Sequence, residues 1–208
     1  DRITTGLRGS AVYDLGKQTS ELGAGIDVKY ATTALNATVG TDVTYRGGQF
    51  GVVVRSGISG MVTENLTLTA DGLVEFGAGK NGQRAALGYV YRTRTLNSLG
   101  TVRYVNGTLA GNAPELSTNL AAEYHQRNWG VRGYLDTRDI LNDEGSFTVQ
   151  SGLNGKYYVT DWLGVGAWGH IMTQPASEST QYGYGVEASV KVIPGTWLSA
   201  GYNPLGFD

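Results

Sequence analysis

Along most of the chain, apolar residues alternate with polar ones at a period of two. From residue 35, Leu35, Ala37, Val39, Val43 and Tyr45 hold one parity and Asn36, Thr38, Gly40, Asp42, Thr44 and Arg46 the other, as a strand with one apolar and one wet face requires. The split recurs. Ile3, Leu7, Ala11 and Tyr13 oppose Thr4, Arg8 and Ser10; Leu66, Leu68, Ala70 and Val74 oppose Thr67, Thr69, Asp71 and Glu75; Val186, Ala188, Val190 and Val192 oppose Glu187, Ser189 and Lys191. No segment carries the i, i+3, i+4, i+7 spacing of a helix for more than a turn, and none approaches the ~18 apolar residues of a membrane helix.

The breaks between strands have their own rhythm. Tight turns are expected near Thr32, Glu64, Leu96, Asn128, Asp161 and Gly195, about 32 residues apart, which marks a two-strand repeat. Between them fall looser connections at Asp14 to Ser20, Gly47 to Gln49, Gly77 to Gln83, Gly107 to Ser117, Arg138 to Ser146 and Met172 to Gln181. Strict alternation of short and longer links is the hairpin pattern of an outer-membrane barrel. We read thirteen strands, the last over Thr196 to Asn203. The predicted fold is all-β, an antiparallel up-and-down transmembrane β-barrel, one domain over residues 1–208. Single-chain barrels have an even strand count. Fourteen or more strands are therefore expected, with one descending strand after Asp208 pairing with Ile3 to Tyr13, or with further hairpins before Asp1.

A barrel of this many strands encloses a lumen too wide for side chains to fill, so the apolar parity is expected to face outward. In water that band would far exceed the apolar patch of a soluble monomer; in a bilayer it is the lipid contact. A two-sheet soluble sandwich and a β-solenoid are the alternatives. Outer-membrane lipid is the expected partner, and a charge should be costly at Val39 or Val190 but tolerated at Thr38 or Ser189. Aromatics concentrate at strand ends: Trp129, Trp162, Trp197, Tyr30 and Tyr157 beside short turns, and Tyr13, Tyr45, Phe76, Phe147, Tyr182 and Tyr202 toward the opposite ends. These are the two interfacial girdles expected of such barrels.

The segments YYVTDWLGVGAWGHIMTQP (Tyr157 to Pro175) and VKVIPGTWLSAGYNPLGFD (Val190 to Asp208) resemble the C-terminal outer-membrane barrel region of large surface proteins with DUF11-type repeats, found in Deinococcus-like and other diderm bacteria. The resemblance extends over the hairpins from Leu87 onward. It implies an outer-membrane barrel covalently linked to upstream surface repeat domains, with one more strand after the GYNPLGFD segment, and it brings no catalytic residues.

Composition narrows the chemistry. The 208 residues include 32 glycines and no cysteine; glycine is at roughly twice its average usage, without a collagen period. A disulfide framework and thiolate metal sites are excluded. The formal charge of −2 leaves no basic footprint for nucleic acid. Gly77-x-Gly79-x-x-Gly82 and Gly164-x-Gly166-x-x-Gly169 match a dinucleotide fingerprint, but no helix follows to receive a pyrophosphate. His125 and His170 lie on the polar parity of different strands and read as solvated lumen residues; Glu123 shares a face with His125. Ser10, Ser59 and Ser189 lack a nucleophile elbow or a neighbouring base, and Asn-x-Thr triplets at Asn36, Asn65 and Asn106 fall in strands or turns. No enzyme activity, cofactor or metal is expected.

The wet face carries charges of both signs, which can pair across the ladder. Its pore-lining candidates are Arg46, Arg55, Arg92, Arg94, Arg103, Arg132, Asp71, Glu75 and Glu123. The basic set is the larger, and Arg92, Arg94 and Arg103 are expected to cluster on adjoining strands, which would give a weak anion preference. Two functions follow: a membrane anchor for a large exported surface protein, or a general diffusion porin for small solutes.

Overall fold

A computed structural model describes residues 2–204 apart from 15–18, 112, 142 and 144–145. Thirteen strands follow in chain order: β1 (Arg2–Asp14), β2 (Thr19–Ala31), β3 (Leu35–Arg46), β4 (Gln49–Thr63), β5 (Leu66–Gly77), β6 (Lys80–Arg92), β7 (Leu96–Gly107), β8 (Glu115–His125), β9 (Trp129–Ile140), β10 (Thr148–Tyr158), β11 (Leu163–Gln174), β12 (Ser179–Ile193) and β13 (Thr196–Tyr202). Single turns of 3-10 helix follow β7 (Thr108–Ala110) and β11 (Pro175–Ser177). The strands form one sheet whose hydrogen-bonded order is the chain order, with β1 and β13 as the edge strands. The all-β up-and-down expectation therefore holds strand for strand. The strand expected after Asp208, and the stretch 205–208 of the GYNPLGFD segment, lie outside the described residues. The chain forms two compact units, Asp1–Tyr89 with Thr101–Leu116, and Val90–Gly100 with Ser117–Asp208.

Four of the short turns share one device. Thr32 Oγ1 accepts hydrogen bonds from the N–H of Ala34 and Leu35, and Thr32 N–H donates to the Leu35 carbonyl. The same hydroxyl-to-backbone pattern recurs at Thr63 with Asn65 and Leu66, at Thr93 with Thr95 and Leu96, and at Thr160 with Trp162 and Leu163. A repeated Thr-x-x-Leu is thus the punctuation of these hairpins, because a threonine hydroxyl mimics a backbone acceptor across a turn. Turn carbonyls also extend the ladder. Those of Ala34, Thr95, Asn128 and Trp162 accept from the N–H of Met61, His125, Tyr158 and Lys191 at 2.7–2.8 Å.

Strict alternation of turn length does not hold. The links after β3 and β5 contract to residues 47–48 and 78–79, as short as those on the opposite side, and the turn expected near Leu96 falls at 93–95. The cause is backbone handedness. Gly47 and Gly48 have φ of 56° and 82°, the conformation of a two-residue type I′ hairpin. Gly77, Ala78 and Gly79 are likewise left-handed, at 80°, 51° and 79°, so the predicted loop from Gly77 to Gln83 becomes a turn and an early start of β6. The links expected at Asp14 to Ser20 and Arg138 to Ser146 fall in part outside the described residues.

Register fixes the two faces. Val39 pairs with Val28 and Ser56, Val43 with Ala24 and Val52, and Ile58 with Ala70, so one face of β2 to β5 is apolar. That face is uncovered: Leu7 is 83% exposed, Val39 55% and Leu153 61%. Among the described residues only Ala86 and Val105 are buried hydrophobics. A sandwich would bury its apolar face under a second sheet; here a single sheet leaves it bare, as lipid contact requires.

One expected tolerance changes, although Ser189 keeps its polar facing. Ser189 is only 1% exposed and its Oγ lies 2.9 Å from Ser199 Oγ. It stands in the cross-strand row Tyr158, Gly164, Ser189, Ser199, on the face where the rings of Tyr158 and Trp197 meet at 5.4 Å. Lysine there would displace this packing, so Thr38 is the sound polar-face control.

Two outcomes follow. Val39→Lys should cost ~2 to 4 kcal/mol in denaturant titrations of the lipid-folded protein, against little change for Thr38→Lys; equal costs would reverse the facing. Thr93→Val removes the hydroxyl from two turn N–H groups and should lose about 1 to 2 kcal/mol in the same assay, whereas an unchanged midpoint would make that hydroxyl dispensable.

Candidate functional site: the polar face

On the first unit, four strands assemble a closed ring of charge. Arg8 on β1 lies 3.0 Å from Asp27 and 2.8 Å from Asp42, and Arg55 on β4 lies 3.5 Å from Asp27 and 2.5 Å from Asp42. Each arginine thus meets both aspartates. None of these pairs sits on directly facing residues. Between Arg8 and Asp42 in the row stands Gly25, and between Asp27 and Arg55 stands Gly40. A Cβ at Gly25 would overlap the Asp42 carboxylate, and one at Gly40 the Asp27 carboxylate. The glycines are slots that let charged side chains reach second-neighbour strands.

The second unit uses the same device. Lys156 on β10 and Glu187 on β12 pair at 2.9 Å across Gly166 of β11, where a Cβ would lie 2.9 Å from Glu187 Oε1. Here aromatic rings also fill slots. Tyr134 covers Gly152, its partner on β10, and Trp168 covers Gly185, its partner on β12, with ring atoms 2.6 Å from a built Cβ. His170 stacks on Trp168 with 3° between the planes and 5.3 Å between centroids. Around these rings opens a concavity of about 830 Å³, lined also by Asn119, Arg132, Asp136, Gln150 and Asn154.

The sequence-predicted residues fall as follows. Arg55 is in the ring, Arg46 lies 3.8 Å from Glu21, and Asp71 pairs with Arg84 at 3.2 Å. Glu75 is buried, takes a 2.5 Å hydrogen bond from Thr108 and lies 3.8 Å from Lys80. This holds the turn after β7 against the sheet, where Gly107, at φ 67°, leaves no room for a Cβ beside the Asn81 carbonyl. Arg132 lines the concavity, and Glu123 is exposed, two residues before His125 at the end of β8.

The arginine cluster does not form. Arg92 closes β6 and Arg94 stands in the turn, whereas Arg103 is seven residues into β7 and pairs with Glu115 at 3.6 Å. Short turns separate residues that adjoin in sequence count but not in height, which removes one of the two grounds for an anion preference and leaves the larger basic set as the other. Among the described residues no group of His, Cys, Asp and Glu is placed to hold a metal.

Of the girdle residues, Tyr30, Tyr45, Trp129 and Tyr202 share the apolar parity by register, with Tyr45 against Phe50 at 4.8 Å and Trp129 paired with Tyr157. Tyr13 and Trp162 are exposed. Trp197 differs. Its partner is Lys191 and it packs on Tyr158, so it belongs to the polar parity. Sequence reasoning passed over Trp168 and Tyr134; their parity, shared with Arg132, Asn154 and His170, was the available signal.

This is the wall of an up-and-down transmembrane β-barrel. Among solved structures the chain is similar to the siderophore receptor PirA from Pseudomonas aeruginosa, with 11% identity over 98% of this chain and 45% of that one, at a TM-score of 0.61. It is equally similar to the copper transporter OprC, with 11% identity over 96% of this chain and 47% of that one, at 0.61. The chain spans less than half the length of both. The NanC porin matches over 91% of this chain and 99% of its own, at 11% identity and a TM-score of 0.41. No protein-family model and no curated protein matches the chain.

The slots are testable with an internal control. Gly6 faces Asp27 on the same side but has open space where a Cβ would go. Gly6→Ala should leave the unfolding midpoint unchanged or slightly raised, whereas Gly40→Ala should lose about 1 kcal/mol by displacing the Asp27 carboxylate from both arginines. Matching midpoints for the two variants would strip Gly40 of this role.

Proposed function

We propose that the chain forms the wall of a barrel in the outer membrane of a diderm bacterium and that its polar face lines a water-filled, porin-like passage. The observation that carries this reading is the charge ring of Arg8, Asp27, Asp42 and Arg55, whose side chains are all between 27% and 49% exposed. A ring of full charges on one face needs water, and an uncovered apolar face opposite it needs lipid. In hydrocarbon the edge strands β1 and β13 also need hydrogen-bonding partners. Paired charges make the wall electrostatically balanced, so the passage favours neither ion sign strongly.

The resemblance of the segments at Tyr157 to Pro175 and Val190 to Asp208 supports a second role, a barrel that fixes covalently linked exported surface domains in the membrane. Both roles share one wall, and ion flow separates them. The purified protein in planar bilayers should show stepwise conductance with a cation-to-anion permeability ratio within about twofold of unity. Correctly folded protein that inserts without conducting would leave the anchor alone.

A further inference from the structure

The geometry points to a saccharide-binding subsite at mid-height on the polar face of β9 to β12, centred on Trp168, His170 and Tyr134. This rests on the reading of that face as water-lined. Trp168 is the sixth residue of the twelve in β11, and Tyr134 the sixth of the twelve in β9. Register sets two adjacent rows: Arg132, Asn154, Trp168 and Gly185, then Tyr134, Gly152, His170 and Gly183. Half-buried indole, imidazole and phenol rings are thus collected on the side of the sheet that otherwise carries amides and charges.

Their placement defines what they would hold. Trp168 lies against Gly185 and Tyr134 against Gly152, where the missing Cβ leaves room for ring atoms, and His170 stacks parallel to Trp168. The aromatic area left toward water is apolar surface in a polar wall, where burial under a ligand would be favourable. Around it, Asn119 donates to Asp136 at 2.8 Å, Gln150 donates to Tyr134 Oη at 3.4 Å, and Lys156 pairs with Glu187. A ligand that fits needs a flat C–H face for the rings and hydroxyls around its edge for the amides and carboxylates. A pyranose has both. The nearby charges, Arg132 and Lys156 against Asp136 and Glu187, balance, which favours a neutral sugar over an acidic one. The concavity of about 830 Å³ is at the upper end of ligand-sized pockets, so a short oligosaccharide fits better than a single ring.

The test titrates maltotriose and cellotriose, with adenosine as a flat heteroaromatic control, into the detergent-solubilised protein by calorimetry. Conductance in bilayers is recorded with and without each sugar. We expect saturable binding of at least one trisaccharide at millimolar concentration and a sugar-dependent block of current. Trp168→Ala should weaken binding about tenfold or more, and Trp168→Phe should restore most of it. Gly185→Ala keeps the indole but moves it off the sheet, and should weaken binding in a protein whose folding is checked by heat modifiability. Sugar-free conductance should be the same in all variants, so a missing sugar effect in a conducting protein overturns the subsite and leaves the passage intact. Binding that is indifferent to both Trp168 and Gly185 would also overturn it, as would Trp168-dependent binding of adenosine without any sugar binding.

Discussion

A glycine facing the polar side, with a larger residue on each neighbouring strand, is the element on which the rest of this wall depends. Direct cross-strand partners are the usual unit of sheet stabilisation. Here three charge contacts skip a strand, Arg8 to Asp42 over Gly25, Asp27 to Arg55 over Gly40, and Lys156 to Glu187 over Gly166, beside the adjacent-strand pairs Arg8 to Asp27 and Arg55 to Asp42. Skipping a strand doubles the span a side chain must cover, so it must lie down along the sheet, and a Cβ on the middle strand would stop it. Lying down has two effects. It joins alternate strands by contacts that the backbone ladder does not supply, and it keeps the charges near the wall.

Exposed ion pairs are individually worth little, ~0 to 1 kcal/mol, so the ring is not a large store of stability. Its weight is in arrangement. With each guanidinium shared between two carboxylates, no member of the ring presents an unbalanced charge, and the ring's neutrality follows from geometry. The apolar face does the opposite work with simpler means. Its side chains stand outward with no second sheet over them, and among the described residues the buried hydrophobics, Ala86 and Val105, are too few to form a core. Within the chain the fold is held by its ladder and turns.

Strand number, antiparallel order and facing were legible in the sequence because a period of two is a local property that each strand repeats. Turn lengths were less so. Gly77 to Gln83 reads as a loop by composition, yet three consecutive left-handed residues fold it into a tight turn, and handedness is invisible to a count of polar residues. The arginine cluster failed for a related reason: adjacency in the list of wet-face charges ignores height along the strand, and register is set by the turns. Trp197 was assigned by its nearness to a strand end, a criterion blind to parity; its pairing with Lys191 puts it on the other face. The glycines were visible as an excess, but their role appears only when strands are laid side by side, since Gly25 acquires meaning from Arg8 and Asp42 together.

Placing strands side by side also explains why one device yields two surfaces. In the first unit the slots receive carboxylates, which are anchored by arginines at both ends and close into a neutral ring. In the second, Gly152 and Gly185 receive rings, which have no opposite charge to close with and so leave apolar area facing the water. A carboxylate in a slot is satisfied by its neighbours; a half-buried ring in a slot keeps part of its apolar area toward water. The difference lies in the side chain that leans over the glycine, not in the backbone, which is the same pleated ladder in both. An inert wall and a binding surface can therefore arise on one sheet from substitutions at the residues beside glycine. The part of Trp168 left uncovered by Gly185 and His170 is where the wall offers apolar area to solutes, and under the proposed subsite it is the place at which a passing molecule with a flat apolar side would be held longest.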